Sequence, residues 1–277
     1  MVQIFIRTSL LLNAQMKIMG KKQQSENVLN VSAESFHPGI SVDCVIFGFH
    51  EGTLKILLNK FKHYTKWMIP GGFVYKDENV DDSAYRVLSN RTGLSDIFLR
   101  QFYLFGDKNR TDIEENKDML TKGGIESNEK RNNHWLAQRF VSVGYYALVE
   151  YSKVRIETND DEEIAWYDLE DVPELYSDHN KIIEKALATI RMQLLILPFG
   201  YELLPEKFTM TELRLIYETI LKQKLDRRNF QRKMLSTGLI YKLDEVSKKW
   251  GVKTSALFSF DKEKYLNAVE NGFTTFE

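Results

Sequence analysis

The sequence is poor in the features that mark secreted and membrane proteins. It has one cysteine, Cys44, so it cannot form an intrachain disulfide, which is typical of a protein in a reducing cytoplasm. It also has no apolar run long enough to cross a bilayer, because the aliphatic stretch 4–12 is short and is interrupted by Arg7. These absences predict a cytoplasmic protein with no membrane partner. They also predict that Cys44, in the apolar run 42–47, is a buried strand residue rather than a nucleophile.

The net charge of the chain is also close to zero, but the charged residues are distributed unevenly. The 277 residues have a formal net charge of -1. Residues 221–253, however, contain ten Lys or Arg and only three Asp or Glu. This imbalance predicts a basic C-terminal module attached to an acidic body. A hydrophobic content of 43% provides enough apolar side chains to build a core in each part.

The chain divides into three predicted regions. We expect residues 1–35 to be an extension that is disordered or lies partly upstream of the true translation start. Residues 36–197 alternate between strand and helix patterns, which indicates a mixed α and β domain. Pro198 marks the boundary to the basic module, residues 198–277. Within the body, the polar segment 111–138 is predicted to be a mobile insertion without regular structure.

Local signals predict the main elements of the body. Apolar runs at 42–49 and 54–58 flank a short polar turn, which indicates a β-hairpin. A helix with Asp81 or Asp82 as its N-cap is predicted after a glycine loop. A closing helix is predicted over 178–197, with an aspartate as its cap.

The glycine loop opens a run with the skeleton of a known motif. Residues 72–94 read GFVYKDENVDDSAYRVLSNRTGL. This run resembles the box of the Nudix hydrolases, a glycine loop followed by a helix whose three glutamates bind Mg²⁺ over a diphosphate. Four residues match the box and have structural roles, namely Gly72, Glu78, Arg86 and Gly93. Among them, Glu78 and Arg86 are expected to form an ion pair, and Gly93 is expected to end the helix in a left-handed conformation.

The resemblance assigns the metal-binding glutamates to three positions that hold other residues here. These are Val87, Asn90 and Arg91. A hydrocarbon, a neutral amide and a cation do not make a site for a hard cation. We therefore predict no metal, no cofactor and no catalytic residue. The alternative is an active Mg²⁺-dependent hydrolase with a relocated metal site, for which the candidate carboxylates are Glu78, Glu114, Glu115 and Asp118.

The basic module has the pattern of a winged helix-turn-helix. Thr209 and Glu212 form a capping box before an amphipathic helix, and Asp226 can cap a second, basic helix. Two short strands, 239–243 and 256–260, would form the wing. The predicted DNA-binding residues are Arg227, Arg228, Asn229, Arg232 and Lys233 on the second helix and Lys248, Lys249 and Lys253 in the wing. A module that binds RNA or docks a protein would use the same basic face.

Two segments of this module, LLPEKFTMTELRLIYETIL and LDRRNFQRKML, follow the Nudix-like box. Together they closely resemble the Nudix-related transcriptional regulators, in particular the bacterial sugar-responsive members that govern arabinose use. The resemblance covers about residues 36 to 260. It implies an α+β protein in which a Nudix-fold mixed-sheet α/β/α domain precedes a C-terminal winged helix-turn-helix domain. It also implies a homodimeric repressor or activator that binds a palindromic operator in double-stranded DNA and senses a small effector.

The resemblance leaves two effector classes open, and it favours a pentose such as L-arabinose over an ADP-ribose-type nucleotide. A nucleotide would need cations for its diphosphate, whereas a sugar would need aromatic stacking and polar partners. The candidate effector-binding residues are Lys60, Trp67, Phe105, Asp107, Arg110, Asp178 and His179. For His179, an equally good interpretation is a helix-start residue that satisfies backbone groups.

Overall fold

The computed structural model describes residues 34, 36–94, 97–125, 127–156, 161–194, 200–247 and 254–271. The described residues belong to one compact unit. The predicted extension, residues 1–35, lies outside them apart from Glu34. In the part of the chain that is described, no helix is long and apolar enough to cross a membrane.

The N-terminal domain is built on a mixed sheet. Its strands are β1 (Phe36–His50), β2 (Thr53–Phe61), β3 (Gly71–Tyr75), β4 (Phe98–Phe105), β5 (Val141–Val149) and β6 (Glu162–Asp168). The order is β4-β5-β1-β2-β6, and β3 also pairs with β1. Strands β1 and β5 run parallel, whereas β1 pairs antiparallel with β2 and β3. The predicted hairpin is confirmed: Glu51 and Gly52, with φ of 51° and 83°, join β1 to β2 in the tight turn that suits strand twist.

Helices cover both faces of this sheet. They are α1 (Val80–Thr92), α2 (Ile113–Lys122), α3 (Asn128–Asn132) and α4 (His179–Gln193), with single 3-10 turns at Trp135–Ala137, Tyr151–Lys153 and Leu169–Asp171. Because side chains alternate along a strand, β1 contributes to two cores. Val42 and Cys44 pack on the α1 side, and Val45 and Phe47 pack on the α4 side. The predicted α/β/α layering and the buried Cys44 are confirmed; burial raises the pKa of the Cys44 thiol, which keeps it protonated.

The described residues of the polar segment 111–138 form two helices and a 3-10 turn, so the prediction that it lacks regular structure is wrong. Asp112 caps α2 by accepting hydrogen bonds from the backbone N–H groups of Glu114 and Glu115, at 3.0 and 3.1 Å. Leu120 is fully buried although the segment around it is polar. A good cap and a small number of buried side chains hold this segment, and its overall polarity concealed both.

The C-terminal domain has the predicted helix-turn-helix with two wing strands. Its elements are β7 (Phe208–Thr209), α5 (Met210–Leu221), α6 (Arg227–Ser236), β8 (Ile240–Ser247), β9 (Ser255–Phe260) and α7 (Lys262–Asn271), and the sheet order is β7-β9-β8. The capping box of Thr209 and Glu212 is confirmed at the start of α5. The core of this domain is continuous with the α4 side of the N-terminal domain. At the contact, Arg191 of α4 donates to the carbonyl of Ile220 in α5 at 2.6 Å.

Candidate functional site

The glycine loop and α1 are held by the residues that match the Nudix-like box. Arg86 Nε donates to Glu78 Oε2 at 3.0 Å, and Arg86 Nη2 donates to the carbonyl of Phe73 in the loop at 2.8 Å. Gly93 has φ of 67°, and its N–H donates to the carbonyl of Ser89 at 2.9 Å. The predicted ion pair and the left-handed helix end are therefore both confirmed. Together they fix the position of α1 beneath the loop.

The predicted N-cap of α1 is wrong by two to three positions. The helix begins at Val80, and the N-cap is Asn79, whose side chain makes no capping hydrogen bond. Asp81 and Asp82 lie in the first turn instead, where their charges are favourable to the helix dipole. Asn79 Nδ2 donates to Asp82 Oδ2 at 2.8 Å, so the polar side chains are satisfied by each other.

The three positions to which the resemblance assigns metal ligands hold residues with other contacts. Val87 is 4% exposed, and a Cβ added to Gly72 would lie 2.6 Å from its Cγ2, so the two residues pack in direct contact. Arg91 Nη2 donates to Glu162 Oε1 at 3.0 Å. Burial raises the pKa of Glu162, and the neighbouring Arg91 opposes that effect. Apolar packing and a self-neutralised ion pair therefore occupy this surface of α1, while Asn90 is exposed.

The structure does not gather the carboxylates of the alternative, relocated metal site. Each has a cation as partner: Glu78 with Arg86, Glu114 with Lys117, Glu115 with Lys66 and Asp118 with Lys122. Across the described residues, no group of three or more His, Cys, Asp or Glu side chains is placed to hold a metal ion.

Three of the predicted effector residues meet in a buried charged cluster. Arg110 donates to both carboxylate oxygens of Asp178, from Nε at 3.0 Å and from Nη2 at 2.9 Å. Its Nη2 also lies 3.2 Å from Asp43 Oδ2, and its Nη1 donates to the carbonyl of Phe140 at 3.0 Å. The Arg110 side chain is only 5% exposed. Burial acts to lower the pKa of Arg110, but the two carboxylates outweigh it and the net shift is upward.

His179 belongs to the same cluster as a hydrogen-bond acceptor. Its Nδ1 accepts from the backbone N–H of Ile69 at 3.0 Å, while its Nε2 is 3.8 Å from Asp43 Oδ1. Burial lowers the pKa of His179, which favours the neutral imidazole that this acceptor role requires. Asp178 occupies the N-cap position of α4, but its side chain makes no capping bond because its carboxylate pairs with Arg110. This differs from the predicted aspartate cap.

The other predicted effector residues are placed elsewhere. Lys60 Nζ lies 5.0 Å from the Trp67 ring centroid and pairs with Glu163 at 3.1 Å. Both Lys60 and Trp67 are partly exposed. Phe105 is buried in the core, and Asp107 is exposed on a turn. Lys60 thus lies beside Trp67, and Arg110 lies in one cluster with Asp178 and His179. Phe105 and Asp107 belong to neither group.

Sequence reasoning missed Asp43, which completes the buried cluster. Asp43 is 6% exposed and lies on β1, inside a run of apolar residues. A Cβ added to Gly71 would lie 2.8 Å from Asp43 Oδ1, so the glycine loop needs its first glycine to pass this carboxylate. The signal in the sequence was an isolated charge in a strand that is otherwise apolar, since such a charge must find a partner.

The C-terminal domain presents the predicted basic helix to solvent. In α6, Phe230 and Met234 are buried, at 6% and 4% exposure, and anchor the helix on the core. The outward residues Arg227, Arg228, Asn229, Arg232 and Lys233 are all exposed. The predicted Asp226 cap is confirmed, because its Oδ1 accepts from the N–H of Asn229 at 2.9 Å. The three wing lysines, Lys248, Lys249 and Lys253, lie outside the described residues.

A buried glutamate that was not predicted fixes the turn between α5 and α6. Glu218 has a side chain that is only 5% exposed. Its Oε1 accepts from the backbone N–H of Leu225 at 2.8 Å, and its Oε2 lies 3.4 Å from Lys224 Nζ. The hydrogen bond from Leu225 lowers the pKa of Glu218. An acid on the apolar side of an amphipathic helix was the available signal.

Comparisons with protein families identify both halves of the molecule. Residues 37–186 match the model of the NUDIX domain, which is more than half of the sequence, and the chain belongs to the Nudix domain family. Residues 200–260 match the NrtR DNA-binding winged helix domain. The predicted fold class, a Nudix mixed-sheet α/β domain followed by a C-terminal winged helix domain, is thereby confirmed.

Individual relatives are similar to this chain over most of its length. The "ADPR responsive transcriptional repressor NtrR" of Acinetobacter baylyi is 29% identical over 235 residues, which are 82% of this chain and 84% of that protein. The crystal structure of Shewanella oneidensis NrtR has a TM-score of 0.63 and 23% identity, over 81% of this chain and 95% of its own. The same protein complexed with a 27mer DNA gives 0.63 and 23%, over 82% and 95%. The expected closeness to arabinose-type regulators is not supported.

Proposed function

We propose that this protein is a DNA-binding transcriptional repressor controlled by an ADP-ribose-type nucleotide. The observation that carries the proposal is the winged helix with an exposed basic α6, joined to a Nudix domain whose motif helix holds Val87 and Arg91. The repressor from Acinetobacter baylyi, whose name gives ADPR as its effector, is similar to this chain over most of both lengths. That similarity favours a nucleotide over a pentose as the effector.

Helix α6 would act as the recognition helix. Arg228 and Asn229 lie in its first turn and are exposed, which is where a recognition helix meets base edges in the major groove. A guanidinium reads guanine through two hydrogen bonds, and an amide reads adenine in the same way. Arg227 and Lys233 would contact backbone phosphates, together with the wing lysines Lys248, Lys249 and Lys253.

The Nudix domain would act as a sensor rather than as an enzyme. Val87 packs against Gly72, and Arg91 pairs with Glu162, so these two motif positions of α1 offer no carboxylate to a hydrolytic metal. Lys60 and Trp67 offer a cation beside a partly exposed indole, a pairing that suits a diphosphate with an aromatic base. The buried cluster around Arg110 would position the start of α4 rather than contact the nucleotide directly.

Helix α4 provides a physical route between the two domains. Its N-cap residue, Asp178, is part of the buried cluster, and Arg191 near its other end bonds to Ile220 of α5. A nucleotide that binds more tightly to one position of α4 would shift the equilibrium toward that position. The helix-turn-helix, which contacts α4, would then change its placement. We further propose a homodimer on a palindromic operator, because two recognition helices must match half-sites about 34 to 36 Å apart.

The test is binding of the purified protein to duplex fragments from upstream of its own gene, followed by fluorescence anisotropy. We expect saturable, sequence-selective binding that ADP-ribose abolishes and that L-arabinose leaves unchanged. Equal affinity for RNA and for duplex DNA would instead favour an RNA-binding module. Mg²⁺-dependent turnover of ADP-ribose would return the hydrolase alternative. Light scattering of the complex would show whether two copies bind each operator.

A further inference from the structure

A polar groove of about 270 Å³ lies beside the recognition helix. It is bounded by the start of α5, the start of α6 and strands β8 and β9. Lys242 of β8 lies opposite Phe258 of β9 in the sheet, and both line the groove. The groove is therefore part of the rigid sheet and helix framework, next to α6 rather than on its outer face.

Three cations from three different elements line this groove. They are Arg214 of α5, Arg227 of α6 and Lys242 of β8, and none of the described residues that line the groove is a carboxylate. Arg227 and Lys242 are exposed and have no carboxylate partner within the described residues. Arg214 pairs through Nη1 with Glu218, but its Nε is buried and has no hydrogen-bond acceptor among the described residues. Positive charge here is thus only partly compensated.

The start of α5 adds to this positive field. Met210 and Thr211, the first two residues of the helix, line the groove. The capping box occupies the N–H of Glu212, whereas the first backbone N–H groups of a helix have no partner within the helix. The N-terminal end of the helix dipole therefore points toward the same space as the three cations, and this combination favours an anion.

We infer that this groove binds one phosphodiester of the DNA backbone and so fixes the register of α6 on the duplex. The inference rests on the proposed DNA-binding function and adds Arg214 and Lys242 to the residues that contact DNA. Because Arg227 lies both in the groove and at the start of α6, a phosphate held there would sit directly beside the bases that Arg228 and Asn229 face. Phosphate contacts of this kind set orientation and carry no sequence information.

The test compares Lys242→Gln with Lys264→Gln, which removes one charge from α7, outside the groove. Anisotropy titrations over a range of salt would use an operator duplex and a scrambled duplex. For Lys242→Gln we expect weaker binding to both duplexes by the same factor and a salt dependence shallower by about 0.9 in log K against log salt. Lys264→Gln should leave both values at those of the wild type, and Lys242→Arg should restore the slope.

Other outcomes would overturn the inference in distinguishable ways. A Lys242→Gln slope equal to that of the wild type would remove the groove from the interface while leaving the proposed repressor intact. A loss confined to the operator duplex would make Lys242 a base-reading residue instead. Thermal stabilisation by inorganic phosphate that Lys242→Gln removes, with DNA affinity unchanged, would assign the groove to a free anion. Absence of duplex binding by the wild type would overturn both proposals.

Discussion

The cations of the Nudix domain and those of the recognition helix have opposite environments. Arg86, Arg91 and Arg110 are each held by a carboxylate, and their side chains are 27%, 16% and 5% exposed. Arg228 and Lys233 on α6 are exposed, and among the described residues neither has a carboxylate partner. In the Nudix domain these cations are therefore neutralised by carboxylates of the same domain, whereas those on α6 remain available to bind an anion.

The difference follows from the cost of burying charge. A buried guanidinium is tolerated only when carboxylates and carbonyls satisfy it, and removing one member leaves an uncompensated charge. An exposed cation needs no partner and remains free to contact phosphate. The same side-chain type thus supports folding in one region and recognition in the other. Substitutions should separate these two roles cleanly.

The largest effect is expected at the buried cluster. Arg110→Met should lower the free energy of unfolding by about 3 to 5 kcal/mol, because Asp43 and Asp178 would be left buried without their cation. Urea denaturation followed by tryptophan fluorescence would measure the change. The matched control is Arg228→Met, the same substitution on α6, for which we expect a change within about 0.5 kcal/mol. Equal urea midpoints for Arg110→Met and Arg228→Met would contradict the expected difference between the buried and the exposed arginine.

Arg228→Met should have the complementary effect on DNA. It should weaken operator binding by up to about 3 kcal/mol and reduce the preference for operator over scrambled DNA, because a base-reading guanidinium would be lost. The comparison variant is Lys233→Met, which removes an exposed charge from the same helix. It should weaken binding to both duplexes alike. An unchanged operator preference for Arg228→Met would show that another residue reads the bases.

A pH-dependent contribution to stability is expected from Glu202, which lies in the sequence between α4 and β7 and contacts α7. Burial raises the pKa of Glu202 from 4.5 to about 7, and its Oε2 accepts a hydrogen bond from Tyr265 of α7 at 3.2 Å. Between these two pH values the folded protein keeps a proton that the unfolded chain has lost. The stabilisation from this group is thus complete at low pH and is lost as the pH rises to about 7.

Glu202→Gln mimics the protonated acid at every pH. At pH 8 we expect this variant to be more stable than the wild type by about 3 kcal/mol, and at pH 4 we expect the two to be equal. Urea denaturation at both pH values measures the difference. A variant that is less stable than the wild type at pH 8 would mean that the Glu202 carboxylate, rather than the carboxylic acid, supports the fold.

The same two regions differ in how far the sequence could predict them. The helix-turn-helix follows from local signals: the capping box at Thr209, the Asp226 cap and the spacing of Phe230 and Met234 were all sufficient. The buried cluster depends on contacts between β1, the loop before α2 and the start of α4. Arg110 and His179 could be singled out, but no local pattern pairs them with Asp43, and strand β6 had no clear local signal.

The smallest effect should come from the helix caps, which show the same contrast. The hydroxyl of Thr209 accepts from the N–H of Glu212 at 3.2 Å and donates to Glu212 Oε2 at 2.8 Å, whereas Asn79 makes no capping bond at the start of α1. Thr209→Ala should therefore cost about 1 kcal/mol of unfolding free energy.

Asn79→Ala should cost less, because only the exposed hydrogen bond to Asp82 would be lost. Urea midpoints of the two alanine variants measure the difference. Helix α1 needs its cap less, because Arg86 fixes it by bridging Glu78 and the glycine loop. An Asn79→Ala variant as unstable as Thr209→Ala would show that α1 also depends on its first turn.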